Sequence, residues 1–126
     1  MVSIAQYKSF KPSKYRSVKC NGKHSKKEYK RGVHLKEQQR LGFVKNLREQ
    51  VPFVLQEKFI DSAGNLERGI KYLADYCYFD NDPESRTFGK DIIEDVKSPI
   101  TKKNPDYIIK RKMLKLRYPQ YIFKEF

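Results

Sequence analysis

Two acidic positions and one lysine offer the clearest chemistry in this 126-residue sequence. Asp75 stands inside the run GIKYLADYCYF (residues 69–79), which is apolar or aromatic on both sides. An ionised carboxylate in such company is costly unless it is paired or binds a metal. If the run is a strand, a period of two gives Asp75 the same face as Leu73, Cys77 and Phe79. Further on comes the triplet Asp95-Val96-Lys97, in which Asp95 and Lys97 share a face with Ile93. Pairing of the two strands would bring two carboxylates and one ammonium to a single spot. Oxygens so arranged suit a hard divalent cation such as Mg²⁺, which takes carboxylates, water and substrate phosphate. A cation there generates hydroxide and stabilises the departing oxygen of a phosphodiester, while the lysine neutralises developing charge or orients the attacking water. The same residues also fit ordinary ion pairs, Asp75 with Lys71 or Lys97 and Asp95 with Lys97.

The elements that must position these groups are legible in outline. A first helix is expected over residues 25–41, because Ser25 and Glu28 fit a capping box and Gly42 can end it. On it Tyr29, Val33 and Lys36 form one stripe, and Glu28, Gly32, Leu35 and Gln39 the neighbouring one. Strands are expected at 44–50 and 53–59, divided by Pro52, and the cluster Asp61-Ser62-Ala63-Gly64-Asn65 reads as a turn. The 69–79 run reads as a central strand covered on both faces. A polar loop at 81–85 leads to a strand at 90–97. Pro99 and Pro105 bracket a linker, and a helix follows over 105–118, with Ile109, Met113 and Leu116 inward and Arg111 and Lys115 opposite. Residues 120–126 can close the sheet. The order α-β-β-β-β-α-β describes an α/β sandwich with a mixed sheet.

Residues 1–24 contain no acidic side chain but hold Lys8, Lys11, Lys14, Arg16, Lys19 and Lys23, with breakers at Pro12 and Gly22. They read as a basic arm, with a short hairpin at Asn21-Gly22, ahead of a domain over 25–126. The formal net charge is +13, and residues 1–60 carry +11 of it. A polyanionic partner follows, since each neutralised phosphate releases condensed counterions. DNA contacts are expected from Lys14 and Arg16, from Lys26, Lys27, Lys30 and Arg31 at the helix start, and from Lys110, Arg111, Lys112 and Lys115. Tyr7, Tyr15 and Tyr29 can stack on unpaired bases, although a core role suits Tyr29. Nothing in the sequence reads as a membrane span or a signal peptide. Cys20 and Cys77 make no disulfide scaffold, so a reduced, cytoplasmic setting is expected. Cys20, His24, His34 and Cys77 match no standard zinc spacing.

The segments Tyr72-Leu73-Ala74-Asp75-Tyr76 and Ile93-Glu94-Asp95-Val96-Lys97 resemble the split motif of the PD-(D/E)XK nuclease superfamily. More narrowly, the chain looks like a phage-encoded family within it. The likeness covers residues 14–126, from Lys14-Tyr15-Arg16 through Ser25-Lys26-Lys27-Glu28 to Lys110-Arg111-Lys112 and Tyr118-Pro119. Ala74 stands where a proline is common, and Lys23-His24 stand where an aromatic and an acid often precede the helix serine. The resemblance implies a restriction-endonuclease-like α-β-β-β-α-β core, its mixed sheet flanked by helices. It implies Asp75 and Asp95 as metal ligands, with the intervening Val96 in the same metal site. It implies Lys97 as the catalytic lysine and Glu28 as the helix acid that completes the site. Glu28 can equally complete the capping box. Glu94 alternates to the opposite face, while Gln56 can approach the site. The implied activity is a Mg²⁺- or Mn²⁺-dependent endodeoxyribonuclease, acting on branched or structured DNA in phage replication or recombination within the bacterial host cytoplasm. Symmetric cleavage of a junction by one site per chain would require a homodimer. The rival readings are a non-catalytic nucleic-acid-binding protein that keeps the fold, and a basic RNA-binding protein of ribosomal type.

Overall fold

A computed structural model describes residues 25–126. The basic arm, including Lys14, Arg16, Tyr7, Tyr15, Cys20, His24 and the turn expected at Asn21-Gly22, lies outside the described residues. Helix α1 spans Lys26–Arg40, with Ser25 as its N-cap and Leu41 as its C-cap. Gly42 follows at φ 89°, the left-handed conformation that ends helices and favours glycine.

Strand β1 runs unbroken from Val44 to Gln56, so Pro52 does not divide it as expected. The reason is its place in the sheet. Among the described residues β1 lies at the edge with β4 as its one neighbour, and an edge strand tolerates a residue that cannot donate. β2 (Phe59–Ile60) and β3 (Leu66–Glu67) form a small separate ribbon. Its turn is the expected one: Asp61 Oδ1 accepts from the N–H groups of Ala63 and Asn65.

β4 (Ile70–Asp80) is central, antiparallel to β1 on one side and to β5 (Asp91–Asp95) on the other. β5 stops at Asp95, two residues short of expectation. The expected linker contains a one-turn helix, α2 (Pro99–Lys102), because Ser98 Oγ caps the N–H of Thr101. α3 (Pro105–Arg117) starts with Asn104 as its cap, and β6 (Tyr121–Glu125) then pairs parallel to β5. The fold is thus mixed α/β, a four-stranded mixed sheet in the order β1-β4-β5-β6 with helices on both faces.

Each face has its own core. Phe53, Leu55, Tyr72, Ala74, Cys77 and Ile93 pack with Tyr107 and Leu114 of α3. On the other face Val44, Tyr76, Tyr78, Ile92 and Val96 pack with Leu35 of α1. The inward stripe of α3 therefore differs from the expected one. Leu116 is 80% exposed and Ile109 57%, while Met113 is partly buried. The helix has apolar residues on two sides. The side that continues into Tyr118 wins, because it meets an aromatic group in which Phe53 lies 5.0 Å from Tyr118 and 5.5 Å from Tyr121.

The long strands share an irregularity. Along β4, Tyr72, Ala74 and Cys77 belong to the α3 face, whereas Tyr76 and Tyr78 belong to the α1 face. Strict alternation is broken between Ala74 and Cys77, so the face expected for Leu73, Asp75, Cys77 and Phe79 does not form. Along β1, Leu47 packs on the α1 face but Val51 and Phe53 on the α3 face. The change falls at Gln50, whose φ is 53°. Glu49 pairs with Tyr76 and Val51 with Ala74, which sets Gln50 opposite Asp75. Both strands change phase at one place.

Candidate active site

At that place the β4–β5 ladder gives way to side chains. Regular pairing ends at Tyr76 and Glu94. Beyond it the N–H of Asp75 donates to Asp95 Oδ1 at 2.9 Å, and the N–H of Val96 donates to Asp75 Oδ2 at 2.8 Å. Each aspartate takes over a backbone donor on the other strand, which fixes the two carboxylates together. Lys97 Nζ stands 3.9 Å from Asp75 Oδ2 and 3.9 Å from Asp95 Oδ1. It also lies 5.6 Å from the centre of the Tyr107 ring. The backbone here is braced by the last residue, since Lys97 N–H donates to Phe126 O and Phe126 N–H to Asp95 O.

α1 brings the third carboxylate. Glu28 is 4% exposed. Its N–H donates to Ser25 Oγ, so that half of the capping box forms, and its Oε2 accepts from Gln50 Nε2 at 3.1 Å. Gly32 lets the helix approach this closely. A Cβ there would sit 2.4 Å from the Tyr76 hydroxyl, which itself donates to the Glu28 carbonyl at 2.9 Å. Glu28, Asp75, Val96 and Lys97 line one pocket of about 330 Å³, with Ser25, Lys27, Ser98 and Thr101 around them. Lys27 Nζ donates to the Lys97 carbonyl.

Asp95 has no exposed surface, and its Oδ2 has no hydrogen-bond partner among the described residues. Burial pushes its pKa up to about 6. Lys97 and the Asp75 N–H oppose that rise, while Glu125 and Glu28 add to it. A buried anionic oxygen without a donor is the arrangement a hard cation would relieve. No three His, Cys, Asp or Glu side chains among the described residues are already gathered as a cage. Mg²⁺ does not need one, since one or two carboxylates with water and phosphate suffice.

The other sites named from sequence are distributed as follows. Lys26, Lys27 and Lys30 are exposed on α1, and Lys110 and Lys112 on α3. Arg31 is engaged within the fold, donating to both oxygens of buried Glu94 and lying 4.0 Å from the Phe126 ring. Arg111 faces Glu125, 3.5 Å away. Glu94 lies on the α1 face, held by Arg31 and by the Tyr78 hydroxyl. Gln56 pairs with Ile70 at the far end of β1; the amide that contacts a pocket residue is that of Gln50, which donates to Glu28. Cys77 is buried, which raises its thiol pKa to about 11. Two contributors escaped the sequence reading. Gln50 carries no periodic signal, and Tyr107, whose hydroxyl donates to Glu125, was visible only as an aromatic next to the Pro105 helix start.

No helix among the described residues is long and apolar enough to cross a membrane. No match was found among curated proteins or among solved structures. Residues 9–124 match one family model, and the chain belongs to that family, described as "Protein of unknown function (DUF1064)".

Proposed function

We propose that the protein is a metal-dependent endodeoxyribonuclease of the PD-(D/E)XK kind, hydrolysing phosphodiester bonds of branched or structured DNA in phage replication or recombination. The observation that carries this reading is the reciprocal lock of Asp75 and Asp95. Two carboxylates from neighbouring strands are fixed together, one keeps a buried oxygen without a donor among the described residues, and an ammonium stands equally far from both. The element order supports it too. Leaving aside the two-residue strands and the one-turn helix α2, residues 25–126 read α-β-β-β-α-β.

In this reading Asp75, Asp95 and Glu28 hold Mg²⁺ or Mn²⁺, with Val96 between the strand acid and the lysine. When bound, such an ion lowers the pKa of a water and offsets charge on a phosphoryl oxygen. The chain's own groups do the rest. Asp75 and Asp95 keep each other's geometry through backbone donors, so little reorganisation is needed at reaction. Lys97 is placed to neutralise charge developing on the scissile phosphate or to orient the attacking water. Lys27 adds a second cation at the pocket wall, and Lys26, Lys30, Lys110 and Lys112 supply phosphate contacts that position DNA without reading sequence. Two copies of the chain would be needed to cut both strands of a junction, and the host cytoplasm is the setting.

The rival is a nucleic-acid-binding protein that keeps this arrangement without catalysis. Exposed Lys26, Lys30, Lys110 and Lys112 would serve it equally well. Cleavage of linear, flapped and four-way DNA with Mg²⁺, run beside Asp95→Ala, separates the two. The nuclease reading expects metal-dependent nicking that Asp95→Ala abolishes; binding without cleavage, or cleavage that ignores the substitution, overturns it.

A further inference from the structure

We infer that Gln50 is a positioning residue of the metal site: its amide holds the Glu28 carboxylate at the pocket wall and so sets the affinity for a divalent cation. The inference rests on the metal-site reading above and gives that site an outer partner.

The backbone comes first. Gln50 has φ 53°, the left-handed region that residues with a Cβ rarely adopt. A position that needs only that conformation is best filled by glycine or asparagine. Asn46, on the same strand with φ 54°, follows the rule, and its side chain is exposed. Gln50 does not. A long amide is kept on an unfavourable backbone, and such outliers gather where function needs them.

The contact made by that amide is specific. Gln50 Nε2 donates to Glu28 Oε2 at 3.1 Å, from a position directly across the strand pair from Asp75. Glu28 sits three residues after the Ser25 cap, where a glutamate ordinarily turns back to its own helix end. Here its Oε2 accepts from the Gln50 amide, and Glu28 lines the wall shared with Asp75 and Lys97. Partners of this kind orient a metal-binding carboxylate, and their loss typically weakens metal affinity by roughly 10–100-fold.

Mn²⁺ titration of the full chain by calorimetry, without DNA, tests the inference on wild type, Gln50→Gly, Gln50→Asn and Asp95→Ala. Gln50→Gly relieves the backbone, so its melting temperature in EDTA should equal or exceed that of wild type. Its Mn²⁺ affinity should nevertheless fall by roughly 10–100-fold. Gln50→Asn tolerates the same φ but shortens the reach by one methylene, and should lose affinity likewise. Wild-type Mn²⁺ affinity in either Gln50 variant, with Asp95→Ala impaired, overturns the role of Gln50 and leaves the metal site standing. Wild-type affinity in Asp95→Ala overturns the metal site itself.

Discussion

Glu94 and Asp95 are neighbours on β5, each without exposed surface, yet their surroundings are opposite. Glu94 faces α1 and is fully answered: Arg31 donates to its two oxygens at 2.5 and 3.0 Å, and the Tyr78 hydroxyl adds 2.7 Å. Among the described residues, Asp95 accepts one backbone N–H, stands 3.9 Å from the Lys97 ammonium, and leaves Oδ2 with no partner. Burying a carboxylate is tolerable when donors replace water and costly when they do not. The first arrangement holds a fold together. The second costs stability. A third carboxylate, Asp80 at the other end of β4, sides with Glu94. It accepts from Ser85 Oγ, Thr87 Oγ1 and the Asp82 N–H, with Lys124 at 4.0 Å.

This contrast can be broken by substitution, and the largest effect belongs on the answered side. Glu94→Gln leaves the Arg31 guanidinium partly buried opposite a neutral amide. Loss of one partner of a buried pair typically costs about 3–5 kcal/mol, and the partial exposure of Arg31 points to the lower end. Denaturant midpoints at pH 7 should show it; an unchanged midpoint would mean that the Arg31 contact contributes nothing.

Asp80→Asn should be milder, about 1–3 kcal/mol, from the loss of charge-assisted hydrogen bonds. Its pH dependence sharpens the comparison. Burial pushes the Asp80 pKa up, but hydrogen bonds from Ser85, Thr87 and Asp82, with Lys124, outweigh it and leave the pKa below the ordinary 3.8. A depressed pKa contributes stability that is complete above the unfolded value and lost as pH falls through the folded one. Wild type and Asp80→Asn should therefore differ at pH 7 and converge in acid. Curves that stay parallel below pH 4 would show that Asp80 acts through shape rather than charge.

What could be read in advance divides along physical lines. Caps and turns act locally, so Ser25, Gly42, Asp61-Ser62-Ala63-Gly64-Asn65 and Pro105 mark their elements within a residue or two. The convergence of Asp75, Asp95 and Lys97 was legible because an acid inside an apolar strand has few tolerable surroundings. Period-two counting failed at Asp75 itself. The phase change of β4 is matched by one in β1, and neither leaves a glycine or proline at the spot; Gln50 was therefore invisible. Pro52 misled because edge and interior strands look alike until the sheet order is known. α3 misled because both Ile109-Met113-Leu116 and Tyr107-Leu114-Tyr118 are plausible stripes, and only the aromatic residues of β1 and β6 choose between them.

The most direct measurement is a melting series at neutral pH on wild type, Asp95→Asn and Glu94→Gln, in EDTA, Mg²⁺ and Mn²⁺. If Asp95 is held for a cation, Asp95→Asn keeps the Asp75 N–H acceptor, removes a buried charge, and melts in EDTA no lower than wild type. Wild type should gain about 2.7 kcal/mol from Mg²⁺ or Mn²⁺ at one hundred times the dissociation constant, and Asp95→Asn should lose most of that gain. Glu94→Gln should melt lower throughout yet keep the metal response. The contradicting result is Asp95→Asn melting several degrees below wild type in EDTA while wild type ignores both metals; Asp95 would then be as structural as Glu94.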